Sequence, residues 1–513
     1  MKLSGREKII QCCIVLAVSI FCFYDLSLKP PHVDESVNGF FVNTLWEKGF
    51  YTYDPNNYHG PLLFYLFQIS EKIFGFGIEA FRIVSVLFLI LTIFIILKSR
   101  TVLDRHASIF VALALGLSPG MIFFSRSAIH ESAFVFFQVV WMIGFLKLRE
   151  QLDQKGLLWF IIGLLGCALL KETFVILGLA FFLSWGWIEF SPHVLRLINK
   201  NVLLPHKPCP NDISKVMLFK IGITVLFVWL ILITGFFHNG KGITDFFVAL
   251  IPWLETGVGS SGHDKPFYYW VALLWRYEWV STLGVILSLV GLFHESWKIR
   301  FFSALALTNG IIYSFIPYKT PWCIMSILWP FVIVTGLLFE YICIANRSRY
   351  FSVAILLLVL LAIGIGHSAV VGYRLNFKNY TNSAEPYVYV QTKEDVTVIE
   401  DIIREKIQIS PNVQNMTVWI SLKDPWPLPW IFSRFPHVMY GDYRKARMPK
   451  IRPDLIFNES FVDDSYIADL YWWLRMELRE ARGPIIVYFK KSLFRKSDLS
   501  GLKYIHADGI KGE

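Results

Sequence analysis

The sequence predicts an all-α polytopic membrane domain of about eleven transmembrane helices, followed by a C-terminal soluble α/β domain. Three observations lead there. The 513 residues are 55% hydrophobic and only 17% charged, too apolar for a water-soluble chain and too long for one span. Apolar runs of roughly span length recur from Ile9 to Gly366, divided by polar loops. Beyond Tyr373 the chain turns polar, and strand-like runs alternate with helix-like ones. The expected division is 1–371 for the membrane domain and 372–513 for the tail.

The apolar runs lie at Ile9 to Phe23, Phe81 to Leu97, Ile109 to Phe124, Ser132 to Leu146, Leu157 to Leu170 and Thr173 to Ile188. They continue at Val216 to Phe236, Trp279 to Phe293, Phe301 to Phe315, Trp322 to Phe339 and Phe351 to Gly366. A perpendicular span needs about 20 residues, so the shorter runs also suit re-entrant segments. The first run follows Lys2, Arg6 and Lys8, as a signal peptide would. No small-residue cleavage site precedes Lys29-Pro30-Pro31, so it is expected to stay as an anchor.

With a cytoplasmic N-terminus, every inside loop is basic, as the positive-inside rule asks. These loops carry Lys98, Arg100 and Arg105; Lys147, Arg149 and Lys155; Arg196, Lys200, Lys207 and Lys215; Lys298 and Arg300; and Arg347 and Arg349. This assigns the net charge of +10 to topology and argues against a nucleic-acid partner. It places a multi-pass protein in the cytoplasmic (inner) membrane with the tail outside. The outside loops hold Asp34-Glu35, Arg126 to Glu131, Lys171-Glu172, His238 to Glu278 and Pro317 to Pro321. The unusual polar clusters therefore share one face, which is the main sequence argument for an active site.

Seven cysteines are present, none with the company of a zinc ligand set, which argues against metal and disulfide frameworks. In the tail, Tyr387 to Val390, Met416 to Ile420, Val438 to Tyr440 and Ile485 to Phe489 read as strands. Thr392 to Ile407, with Thr392 as N-cap, and Tyr466 to Ala481 read as helices. About 140 residues can bury a core of their own. The basic segment Arg444 to Arg452 reads as a solvated face or a contact for lipid head groups.

Each polar cluster has a plain reading beside a chemical one. Asp34 is a helix cap, although Val37 denies it a full capping box, or a carboxylate that takes a proton from a hydroxyl nucleophile. With Glu35 it forms a pair able to bind a divalent cation; no cofactor is otherwise indicated. Arg126 and His130, four apart and followed by Glu131, form an ordinary helix end or one face of a site. Lys319, inside Pro317-Tyr318-Lys319-Thr320-Pro321, is a snorkelling lysine or a cation for a phosphate oxygen. Lys171 and Glu172 pair with each other at a helix junction, or they wall the same site. The run from His263 to Trp270 is an interfacial aromatic belt or a sugar-stacking surface, and Trp426-Pro427-Leu428-Pro429-Trp430 is similar.

These residues resemble a known pattern. An acidic pair in the first outer loop, Tyr58-His59-Gly60-Pro61-Leu62-Leu63-Phe64-Tyr65 beyond it, and Arg126-x-x-x-His130-Glu131 are similar to the GT-C superfamily of integral-membrane glycosyltransferases. Within it they resemble glycosyltransferase family 39, with its lipid A aminoarabinose transferases and protein O-mannosyltransferases. The runs at His263, Tyr318 and Trp426 further resemble a prokaryotic branch associated with flippase activity in archaeal N-glycosylation.

The resemblance spans nearly the whole chain. It implies a polyprenyl-phosphate-linked sugar donor, an envelope acceptor, surrounding membrane lipids, and hexosyl or pentosyl transfer on the outer face. Asp34 matches the family's catalytic acidic position, and Glu131 matches a second one that is usually Asp. His59 stands where relatives carry Lys or His before Pro-Pro, and Gly60 replaces the first proline. Asp34 is then base or acceptor orienter, with Glu35 and Glu131 in support or holding a metal. Arg126, Lys171 and Lys319 would steady the donor phosphate, and His59, His130 and His263 complete the substrate-binding set. The alternative is a non-enzymatic factor or transporter for lipid-linked sugar. It would want charges at the bilayer midplane, whereas here they gather at one face.

Overall fold

The computed structural model describes residues 5–57, 59–99, 103–198, 209–210, 215–259, 263–444, 451–462, 467–480, 483–502 and 505–506. Tyr58, Arg100, Lys200, Lys207 and most of the basic segment after Arg444 lie outside the described residues. Two compact units emerge. One comprises Met1–Leu26 with Leu45–Lys378; the other comprises Ser27–Thr44 with Asn379–Glu513.

The first unit is helical. Its elements are α1 (Gly5–Phe23), the end of α2 (Val33–Lys48), α3 (Leu62–Phe74), α4 (Ile78–Lys98), α5 (Arg105–Leu117), α6 (Pro119–Ser125), α7 (Glu131–Glu150), α8 (Gln154–Ala168), α9 (Phe174–Ile198) and α10 (Lys215–Ile233). There follow α11 (Gly242–Val248), α12 (Leu250–Val258), α13 (Tyr269–Tyr277), α14 (Trp279–Gly291), α15 (Trp297–Phe315), α16 (Ile324–Phe339) and α17 (Phe351–Phe377). Every apolar run expected from the sequence is helical. Among the described residues, however, six helices are long and apolar enough to cross a membrane, or seven if the bent pair α5–α6 is one span. By that measure the expected count of about eleven is left unconfirmed. α8 and α14 have 15 and 13 residues, about 22 and 20 Å of helix against a hydrocarbon core of about 30 Å. α1 carries Arg6, Glu7 and Lys8, and α15 carries Lys298, Arg300 and Asn309.

Local chemistry explains the breaks. Between α5 and α6 the axis bends by 58°. Ser118 caps α6 by accepting from the Met121 amide, and Pro119 occupies the first turn, where its missing N–H costs nothing. The buried Glu278 accepts from the Gly120 amide at 2.6 Å and from the Ser118 hydroxyl at 2.7 Å, fixing the bend. α7 and α8 pack backbone to backbone through glycines. A Cβ on Gly163 would stand 2.2 Å from the Trp141 nitrogen, and one on Gly144 would stand 2.1 Å from the Phe160 nitrogen. On α10, by contrast, Val216, Phe219, Ile223, Leu226 and Phe227 are exposed, a surface that lipid must cover.

The second unit carries a six-stranded mixed sheet. A two-residue pair in the first unit, β1 (Gln151–Leu152) with β2 (Cys209–Pro210), precedes it in the chain. The sheet strands are β3 (Thr417–Ser421), β4 (His437–Tyr440), β5 (Leu455–Asn458), β6 (Tyr471–Met476), β7 (Ile485–Lys490) and β8 (Ile505–His506), in the order β4-β3-β5-β7-β6-β8. β3 is parallel to β4 and β5, and the remaining pairs are antiparallel. Its core gathers Ile456, Val462, Ile467, Tyr471, Ile486 and Tyr488.

Three expectations for the tail fail. Tyr466 to Ala481, whose end residues lie outside the described set, holds only the four-residue α20 (Ile467–Leu470), after α18 (Glu394–Ile409) and α19 (Leu428–Ile431). The chain then becomes β6, whose Tyr-Trp-Trp run has the aromatic content of a strand and pairs with β7 along six positions. Tyr387 to Val390 is not a strand, because Val390 takes φ +51°, which a ladder excludes. Helix α18 starts at Glu394, and Thr392 does not cap it.

The α7–α8 contact yields a prediction. Gly163→Leu should cost about 1–3 kcal/mol or more through overpacking. The check is the melting temperature and monodisperse yield in detergent, and an unchanged melt would refute the close approach.

Candidate active site

In the first unit three chain segments meet at helix ends. The backbone leading into α3 pairs with the turn between α8 and α9: the Gly60 amide donates to Leu170 O at 3.1 Å and Leu62 to Leu169 O at 3.2 Å. His59 thereby faces Lys171 across an antiparallel bridge. Gly60 is required here, since a Cβ would stand 2.1 Å from Leu169 O. The third segment is the turn from Arg126 to His130, between α6 and α7. It is not helical, so Arg126 and His130 do not share a helix face.

A buried charged cluster results. Lys171 Nζ donates to Glu131 Oε1 at 2.5 Å and lies 3.9 Å from Cys323 Sγ. His59 Nδ1 stands 3.3 Å from Glu172 Oε2, and Glu172 also accepts from the Tyr53 hydroxyl. Lys171 and Glu172 are therefore not paired with each other; each takes a partner from another segment. The His130 ring is 4.4 Å from that of His59 and edge-on to Phe64. Its Nε2 is buried without a hydrogen-bond partner.

Burial sets the charge states. It pushes the His130 imidazole well below its ordinary value, aided by His59 and Lys171, so the ring is neutral at pH 7. Burial raises the Glu172 carboxyl, opposed by its hydrogen bond to His59. For Lys171 burial acts downward. Cys323 and the Glu131 carboxylate outweigh it and hold the ammonium well above its usual range.

The other expected cations are engaged. Arg126 donates from Nη1 to Cys22 O at 2.8 Å and Tyr24 O at 2.7 Å, and from Nη2 to Asp25 O at 2.7 Å. Its guanidinium also stacks on Phe377. It thus satisfies carbonyls at the end of α1, a structural duty. Lys319 Nζ donates to Ile316 O at 2.5 Å and Lys265 O at 3.2 Å. His263 and Lys319, distant in sequence, lie on paired segments. The Lys319 amide donates to His263 O, Asp264 bridges Tyr318, and the His263 and Tyr318 rings are 5.0 Å apart.

Asp34 and Glu35 belong to the second unit. The cap of α2 is His32, not Asp34. Glu35, fully buried, accepts from the His32 amide at 2.8 Å, the return half of a capping box. The Asp34 amide donates to His32 Nδ1 at 3.1 Å. Among the described residues the half-buried Asp34 carboxylate makes no hydrogen bond or ion pair. Nor does any group of three His, Cys, Asp or Glu side chains among them suit a metal ion. In this same unit Trp430 is buried against Gly39, and Trp426 meets Phe40 edge-on. Sequence reasoning missed Tyr53 and Cys323 as cluster members. Tyr53 offered no motif, and Cys323 lay in the apolar run Trp322 to Phe339.

A prediction follows from the cluster. Lys171→Met leaves Glu131 buried and unpaired and should cost about 3–5 kcal/mol. Adding Glu131→Gln should recover part of the loss. Melting curves of the singles and the double supply the cycle, and additive losses would refute the coupling.

Comparison with known proteins extends this geometry. Residues 58–204 match the family described as dolichyl-phosphate-mannose-protein mannosyltransferase. No curated protein matches the chain in sequence. Among solved structures, the chain is similar to ArnT from Cupriavidus metallidurans bound to undecaprenyl phosphate, at 14% identity and TM-score 0.59, over 96% of this chain and 99% of that one. It is also similar to the Archaeoglobus fulgidus oligosaccharyltransferase in complex with zinc and sulfate, at 12% identity and TM-score 0.50, over 88% and 68%. The chain therefore shares the fold of ArnT, and its segment 58–204 carries the mannosyltransferase family's sequence pattern.

Proposed function

We propose that this protein is a membrane glycosyltransferase. It takes a hexosyl or pentosyl group from a polyprenyl-phosphate-linked donor and passes it to an envelope lipid, glycan or protein on the extracytoplasmic face. One observation carries the reading: the segment that matches the mannosyltransferase family is the one that holds His59, His130, Glu131, Lys171 and Glu172 in a single buried cluster. The similarity to a structure bound to undecaprenyl phosphate supports the donor class.

In this reading the anomeric carbon–oxygen bond to phosphate breaks as the acceptor oxygen bonds that carbon. Asp34 takes the acceptor's proton, and the polyprenyl phosphate leaves with the bond's electrons. Asp34 suits a base because its carboxylate makes no hydrogen bond or ion pair among the described residues, whereas Glu35 is committed to the helix cap. His59, aimed by Glu172, and Lys319 serve the phosphate, and Lys171 with Glu131 keeps the cluster in register. Of the two adjacent carboxylates, Asp34 is the one left to a divalent cation, since Glu35 already holds the His32 amide.

Asp34→Asn tests the assignment. The swap keeps size and removes basicity, and the expected loss in transfer is about 10²- to 10⁴-fold, about 3–5 kcal/mol in the barrier. Stability should fall by no more than about 0.3–1 kcal/mol, the share of an acidic residue in a helix's first turn. Product formation from a polyprenyl-phosphate sugar by purified protein, with and without chelator, is read beside the melt. Full activity in the folded mutant overturns the role of Asp34. An inactive, folded wild type that still supports lipid-linked sugar movement in cells points to a translocation factor.

The orientation is tested separately. A reporter fused after Tyr373 should report the extracytoplasmic side, because the basic loops of the sequence fall on the opposite one. A cytoplasmic signal overturns the placement of the tail.

A further inference from the structure

Within the second unit, the segment that precedes Asp34 is held by the tail through side chains. Pro30 and Pro31 have no N–H, so their carbonyls are the handles they offer. Gln391 Nε2 donates to Pro30 O at 2.8 Å, and the Thr392 hydroxyl donates to Pro31 O at 2.6 Å. Both side chains are buried. His32 completes the grip. Its Nδ1 accepts the Asp34 amide, so its Nε2 carries the hydrogen and donates to Tyr389 O at 2.9 Å.

The tail side of this contact is itself constrained. Val390 sits at φ +51°, a left-handed conformation that a β-branched residue adopts only when its surroundings impose it. That turn lies between Tyr389, whose carbonyl meets His32, and Gln391, whose amide meets Pro30. Thr392 is tied further into the unit. It bridges Arg479, the Lys393 amide donates to Leu478 O, and Arg479 pairs with Asp424 at 2.8 Å. Three tail residues on either side of the strained Val390 thus converge on the three residues that immediately precede or cap the start of α2.

We infer that Tyr389–Thr392 is a clamp that holds Asp34 in its working position, with Gln391 and Thr392 as positioning residues. The inference rests on the proposed transfer reaction and on the role of Asp34 in it. It makes the tail part of the catalytic apparatus: a helix-start carboxylate that makes no hydrogen bond among the described residues owes its placement to the backbone that carries it. Misplacing a reacting group by about 1 Å costs on the order of 10²-fold in rate.

The test uses the full-length protein. Thr392→Val keeps the shape and removes the donor; Thr392→Ser keeps the donor; Gln391→Met removes the second contact at similar volume. Thr392→Val and Gln391→Met should each lower kcat about 10- to 100-fold while donor KM changes less than about twofold. Thr392→Ser should restore kcat. On an Asp34→Asn background Thr392→Val should change kcat no further. Amide exchange at residues 33–37 should quicken in Thr392→Val and not in Thr392→Ser. Unchanged kcat, or a loss that only follows the unfolded fraction and is not rescued by serine, overturns the clamp. If wild type shows no transfer, the proposed function fails. The exchange measurement then decides the clamp alone: faster exchange supports it, and unchanged exchange overturns it.

Discussion

A short backbone pairing fixes the charged cluster of the first unit. Residues 59–62 lie against 169–171, and this places His59, Lys171 and Glu172 within reach of the start of α7. Irregular backbone among apolar helices survives only where its polar groups are satisfied, and here two loop segments satisfy each other. The pairing demands Gly60, because any Cβ there would enter the Leu169 carbonyl. Once the loops are joined, Lys171 and Glu131 are buried together, and neither can lose the other without leaving a stranded charge. The departure from a proline at position 60 is thus a geometric requirement of this chain.

Much of this was legible in the sequence, for physical reasons. Apolar runs became helices because burial and lipid both reward the same composition, and β3, β4 and β7 followed from β-branched and aromatic runs. The number of crossings was less legible. Run length alone does not separate a full span from the shorter α8 and α14, and charges at the end of α1 change its character. β6 was read as a helix because its sequence neighbours are helix formers. Its strand identity comes from pairing with β7, a contact between distant residues that no local pattern states.

The cluster shows the same division. Residue types were readable; partners were not. Lys171 and Glu172 are neighbours in sequence, and local reasoning allows them to pair. The fold sends them to Glu131 and His59, because adjacent side chains leave an irregular turn in different directions. Arg126 carries the residue type of a phosphate ligand but is consumed by carbonyls that α1 leaves open at its end.

Competition for partners ranks the groups that a donor phosphate could recruit. Taking Lys171 would strip a buried carboxylate of its counter-charge, the most costly exchange available. Taking Arg126 would orphan the carbonyls of Cys22, Tyr24 and Asp25 together. Lys319 is held by two neutral carbonyls, and a phosphate oxygen is the stronger acceptor for an ammonium. His59 is half-buried, and its Nδ1 is held by Glu172 at 3.3 Å. On the proposed reading, phosphate capture falls to Lys319, while Lys171 and Arg126 keep the surrounding helix ends in shape. The same logic separates the two adjacent carboxylates at the start of α2. Successive helix positions differ by about 100°. Glu35 turns back onto the His32 amide, while among the described residues the Asp34 carboxylate makes no hydrogen bond or ion pair.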